Sequence, residues 1–169
     1  TEMSARIGAR QVVDTLNEVF GVLDKLAVKH NVEKIKTIGD CYMVVSGVPD
    51  RSPTHAQQIA EFALDMQVAL SDYAISSGRD ITMRTGIHTG TAVAGIVGTS
   101  KFAYDLWGDV VNVASRMEAT SEPGQIHVSS AVKIRLEDDY IFEERGATTL
   151  KGKGELNTFY LIDRRTANH

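Results

Sequence analysis

The chain is 169 residues long, 43% hydrophobic and 24% charged, with three prolines and a formal net charge of −4. That length and balance suffice to bury a core without staples, so one domain over residues 1–169 is expected. The acidic balance argues against nucleic acid or an anionic membrane as the main partner and leaves any polyanion to a local cluster of cations.

From about residue 4 to 31, Val12, Val13, Leu16, Val19, Phe20, Leu23 and Leu26 recur at three- and four-residue spacing, which predicts an amphipathic helix on a core. Residues 34–47 then read as two strands folded back on Gly39-Asp40, a step that tight hairpins favour. Asp40 should project from the tip, with Lys36 four residues earlier on the incoming strand, so opposite charges sit on rigid backbone at a fixed separation. An Asp in such a turn can equally bond only its own backbone. Cys41 is the single cysteine. It can form no internal disulfide, which points to a reducing, cytoplasmic compartment, and a buried strand position is expected for it.

Residues 49–53 read as a loop, and Thr54 as the cap of a second helix running to about Ser76. The runs 81–88 and 91–97 are strand-like and separated by Thr89-Gly90, so a second hairpin is expected there. Residues 101–107 predict a short edge strand, Gly108 a break, and Asp109 the cap of a helix over 110–120. Pro123-Gly124 turns into a strand at 125–128, Ser129 caps a last helix through Leu136, and strand pieces at 140–144 and 157–162 flank a polar loop at 151–155. Helix, hairpin, helix, strand is most of a ferredoxin-like split βαβ sandwich, an α+β fold, with extra C-terminal elements. The strand that begins this pattern is missing ahead of the first helix. No apolar run reaches membrane-spanning length, and Thr1-Glu2-Met3-Ser4 has no signal architecture.

Asn112 and Arg116, four residues apart, share one face of their helix. An amide beside a guanidinium suits a sugar and a phosphate, since the planar fork of Arg matches phosphate oxygens. A merely solvated polar stripe would have the same spacing. Lys151-Gly152-Lys153-Gly154 puts two cations on pliable backbone. A Walker phosphate loop is absent: around residues 95–102, Ser100 stands where a glycine is needed and Phe102 where a metal-binding hydroxyl is needed.

Residues 34–47, 102–117 and 150–155 together resemble, in order and spacing, the catalytic domain of class III nucleotidyl cyclases, specifically the bacterial, mycobacterial-type homodimeric adenylyl cyclases. The resemblance implies conversion of ATP to 3′,5′-cyclic AMP and pyrophosphate with two divalent ions, Mg2+ or Mn2+. It implies Asp40 as one of two metal aspartates, Lys36 and Asp105 as the adenine readers, and Asn112 as the residue that orients the ribose. It also implies Arg116 as the transition-state arginine and Lys151 as the triphosphate lysine, with Lys153 the alternative. A donor at Lys36 and an acceptor at Asp105 match the N1 and 6-amino group of adenine, whereas the family's guanylyl members resemble this site with Glu and Cys there.

A head-to-tail homodimer with shared active sites is implied as well, so a monomer should be silent. The family's first metal aspartate lies in a strand that would fall just before Thr1, so residues 1–169 are expected to be an N-terminally incomplete catalytic domain. A membrane anchor or regulatory domain outside these residues is compatible with the resemblance. Two rival functions follow: a guanylyl cyclase, or a catalytically incompetent nucleotide-binding and dimerisation module.

Overall fold

A computed structural model describes residues 8–98, 103–150 and 152–166. Among these residues, four helices, α1 (Ala9–Lys29), α2 (His55–Ser77), α3 (Asp109–Ala119) and α4 (Ser130–Leu136), are interleaved with eight strands. The strands are β1 (Glu33–Ile38), β2 (Cys41–Val45), β3 (Thr85–Ile87), β4 (Val93–Val97), β5 (Ala103–Trp107), β6 (Ile126–Ser129), β7 (Tyr140–Leu150) and β8 (Gly154–Arg164). Among the described residues, no helix is long and apolar enough to cross a membrane.

The first helix buries Val19, Leu23 and Ala27 on one stripe, as its periodicity predicts. It ends where Asn31 takes a left-handed conformation and Val32 N–H returns to the carbonyl of Ala27. Helix α2 is the common wall. Phe62, Met66 and Leu70 face α1 together with Tyr42 and Val44 of the first hairpin, while Ala60, Ala63 and Leu64 face Ile87, Ile126, Val128 and Leu161 of the sheet. Thr54 does stand at its N-cap, but no side chain caps the helix, and the Thr54 hydroxyl pairs with Ser52 instead.

The strands form three sheets: β1-β2, β3-β6-β8-β7 and β4-β5. This corrects the expected second hairpin. Residues 85–87 pair in parallel with β6, Gly86 opposite His127, and it is β4 and β5 that form the antiparallel ribbon, Gly95 opposite Asp105. Parallel pairing of β3 needs a long crossover, supplied here by the ribbon and α3. The C-terminal strand pieces are also longer than expected, 11 residues each, and they meet in a tight turn rather than a loop. Strand β6 is buried along its whole length. Ile126 and Val128 join the α2 core, and His127, pointing the other way, meets α3.

Candidate active site

Lys36 owes its direction to one extra residue. Lys34 opposes Val44 and Lys36 opposes Met43, so Ile35 is a bulge in β1. The extra residue shifts the in-and-out alternation by one, so the residues on either side of it point to opposite faces. Lys34 therefore shares the α1 side with Tyr42 and Val44, where both Lys34 Nζ and Tyr42 Oη donate to Asp24 Oδ1 at 2.7 and 2.6 Å. Lys36 leaves by the opposite face and donates to Asp105 Oδ2 at 2.6 Å.

Asp105 is held at both oxygens, since its Oδ1 accepts the Leu106 backbone N–H at 2.8 Å. The bond from Lys36, then that backbone donor, keeps its carboxyl below the usual carboxylate range, so it is an anionic acceptor at neutral pH. The residue opposite it is Gly95, and its own face of the ribbon carries Val93, Val97 and Trp107, which are 66%, 57% and 41% exposed. Charge and a bare apolar surface thus lie side by side.

Gly108 stands at the N-cap of α3 in the left-handed half of backbone space, φ 137°, with the space beside it filled by the Thr91 carbonyl. Asp109 is the first helical residue rather than the cap. Asn112 is exposed and Arg116 half-buried, while Val113 and Met117 are buried beneath them. A Cβ on Gly152 would lie 3.8 Å from Arg116 Nη1, and Lys153 Nζ is 2.5 Å from Asp109 Oδ2. The β7–β8 turn therefore lies along the Asp109–Asn112–Arg116 face of α3. Asp109 is a site contact that the sequence reading took only for a cap, although its spacing of three and seven from Asn112 and Arg116 carried the signal. Lys151 lies outside the described residues. Lys153 is occupied by Asp109, which counts against it as the free triphosphate lysine.

Asp40 is exposed at the hairpin tip, after Gly39 at φ 60°. Cys41 is exposed too, not buried as expected, because it opens β2 directly beside the tip. Partial desolvation by the protein around it, and then the charges of Glu118 and Asp40, push its thiol up, away from the thiolate form. His88 donates to or accepts from Ser129 Oγ at 2.7 Å, a structural role. Asp40 offers the hard oxygen that Mg2+ and Mn2+ take. Among the described residues, however, no three His, Cys, Asp or Glu side chains converge, so Asp40 stands in no ready-made ligand cluster there. Two hollows, of about 160 Å³ beneath residues 46–50 and about 370 Å³ between α2 and the ends of β6 and β8, contain none of the candidate residues. The Lys36–Asp105 pair is partly exposed, 40% and 23% at the side chains, and among the described residues no hydrogen bond or ion pair joins it to Arg116 on α3.

Residues 1–163 match the family model described as the adenylate and guanylate cyclase catalytic domain. The chain belongs to that family. An adenylate cyclase of Mycobacterium tuberculosis is 46% identical over 167 residues, covering 99% of this chain and 38% of that protein. Human retinal guanylyl cyclase 1 is 43% identical over 174 residues, covering 99% of this chain and 16% of that protein. The chain thus spans well under half the length of these relatives. Among solved structures, the guanylate cyclase domain of RhGC from Catenaria anguillulae in complex with GTP superposes with a TM-score of 0.91 at 33% identity, covering 96% of this chain and 90% of that one. The adenylyl cyclase CyaB from P. aeruginosa gives 0.85 at 26% identity, with 99% and 90% covered.

Proposed function

We propose that this chain is an adenylyl cyclase domain that turns ATP into 3′,5′-cyclic AMP and pyrophosphate. The observation that carries the choice of base is the Lys36–Asp105 pair, a donor and an anionic acceptor side by side on rigid strands. Adenine complements both, whereas guanine offers a carbonyl and an N–H in the reverse order. Once the site is closed by substrate and a second copy, a wrong base leaves these polar groups mispaired, at a cost of roughly two orders of magnitude or more. The adenylate cyclase name of the 46%-identical mycobacterial relative supports the same reading. Relatives named guanylyl cyclases share the domain, which makes GTP the substrate to test against.

In this reading the ribose 3′-oxygen attacks the α-phosphorus, closing the ring as the bond to pyrophosphate breaks. Asn112 orients the ribose, and Arg116 meets charge developing on the phosphoryl oxygens, where a preorganised donor contributes on the order of 3 kcal/mol. Lys151 binds the triphosphate. Asp40, with the second aspartate that the family resemblance puts on a strand ahead of Thr1, would hold two divalent ions, which would acidify the attacking hydroxyl and neutralise the leaving group.

The site is completed by a second copy placed head to tail. Each site takes Lys36, Asp105, Asn112 and Arg116 from one subunit and Asp40 from the other. The exposed Val93, Val97 and Trp107 beside Asp105 suit a surface covered in that dimer. The domain is read as the cytosolic catalytic part of a longer signalling protein, in line with its share of the relatives' length. The test compares ATP and GTP turnover with Mg2+ and Mn2+, in the wild type and in Lys36→Glu/Asp105→Cys. ATP preference that moves toward GTP in the double variant is expected; wild-type preference for GTP overturns the base assignment.

A further inference from the structure

The underside of α3 is seated on the sheet through its own backbone. Three carbonyls spaced three residues apart point down from the helix, and each meets a different strand. The Ala114 carbonyl lies over Gly86 of β3, within 2.5 Å of where a Cβ would stand. The Met117 carbonyl is 2.8 Å from His127 Nδ1 of β6. The Thr120 carbonyl accepts from Arg145 Nη2 of β7 at 2.8 Å. Gly86, His127 and Tyr160 are register partners in one row across β3, β6 and β8, and Arg145 Nε ends the row on Tyr160 Oη at 2.7 Å.

The chemistry of the middle contact is unambiguous. Met117 belongs to the last turn of α3, whose carbonyls have no donor within the helix. The Arg116 and Glu118 carbonyls are met by the Thr120 and Ser121 N–H groups, and the Met117 carbonyl takes its short bond from His127 at 2.8 Å, with the Thr120 hydroxyl a longer second donor at 3.4 Å. A carbonyl can only accept, so Nδ1 carries the proton, and Nε2 is a bare acceptor, buried and without a partner. His127 is wholly buried. A ring placed there only to fill space would not require its proton on the nitrogen facing the helix.

We propose that His127 and Arg145 are positioning residues for catalysis: by holding the Met117 and Thr120 carbonyls they fix the height and roll of α3, and so the aim of Asn112 and Arg116 on its upper face. The inference rests on the cyclase reading of those two residues. Side-chain amides separate donation from volume, because Asn places its nitrogen where Nδ1 stands and Gln where Nε2 stands. The experiment is steady-state turnover of ATP by His127→Asn, His127→Gln and His127→Leu in the domain carrying its upstream residues, with amide hydrogen exchange over residues 109–121 on the same preparations.

Loss of aim should lower kcat of His127→Leu and His127→Gln about 10- to 100-fold with KM within about threefold, since a displacement near 1 Å costs that much. His127→Asn should stay within a few-fold of wild type despite being the smaller side chain, and exchange should quicken in α3 for Leu and Gln only. Equal activity of Asn and Leu, or activity that follows side-chain volume, overturns the proposal. Should the His127 variants fail to fold, Arg145→Met at the half-buried end of the row must show the same kcat-specific fall and faster α3 exchange, and unchanged kcat or exchange there overturns it. A wild-type domain that cyclises neither ATP nor GTP refutes the cyclase reading instead, and the exchange measurement still decides whether His127 and Arg145 hold α3.

Discussion

Gly86→Ala isolates the seat of α3 in a single methyl group. The added Cβ would stand 2.0 Å from the Glu118 nitrogen, 2.5 Å from the Ala114 oxygen and 2.7 Å from the Glu118 Cα. All three atoms are helix backbone, so no side chain can swing away. Ordinary contact begins about 1.4 Å farther out than the closest of these, and β3 or α3 must move by most of that distance. Overpacking of a seated element costs about 1–3 kcal/mol, and the upper end applies where backbone must yield. The same shift carries Asn112 and Arg116 with it, for a further loss of roughly 100-fold in kcat.

Urea unfolding measures the first effect and turnover the second. Gly21→Ala is the internal control, because its Cβ meets nothing within 4 Å in the middle of α1. There the same substitution should stabilise by about 0.5–1 kcal/mol. Gly86→Ala with an unchanged unfolding midpoint and wild-type kcat would refute the claim that α3 rests on the β3 backbone.

Two further outcomes are expected. Asp65 ties the end of α1 to β8 by accepting from Lys29, His30 and Arg164, and these bonds, that of Lys29 foremost, hold its carboxyl down at about 2 against the opposing effect of burial. A depressed carboxyl stabilises the fold above its unfolded value and stops doing so as pH falls through its folded one. Asp65→Asn should therefore cost about 1–2 kcal/mol at neutral pH and flatten the loss of stability between about pH 4 and 2. An acid limb as steep as that of wild type would count against it. Mixing inactive Asp40→Ala with inactive Arg116→Ala should restore about a quarter of wild-type turnover, the statistical yield of one intact site in randomly paired dimers. No recovery on mixing, with dimers present by sedimentation, would exclude shared sites.

What the sequence made legible was local. The α1 stripe, the Gly39-Asp40 hairpin and the Asn112–Arg116 face each follow from spacing within a few residues, and each is present. Pairing between distant segments was not legible. Residues 81–97 alternate like a hairpin, yet β3 pairs with a strand some 40 residues on, because Gly86 admits α3 and only the far side of that helix supplies β6. Cys41 was placed by residue type, whereas its exposure comes from its position at the tip. Asp109 looked like a cap because nothing in the sequence places Lys153 opposite it, and His127 looked like one more strand residue because its partner is a backbone carbonyl.

The bulge at Ile35 gives one strand two separate tasks for the same residue type. Lys34 fastens the hairpin to α1, and Lys36, two positions on, pairs with Asp105 on the opposite face, where we propose that the base is read. Residue 36 can change without loosening the hairpin from its helix, so a change of nucleotide preference need not be a change in foldability. Such a scaffold can drift between purines while its architecture stands still.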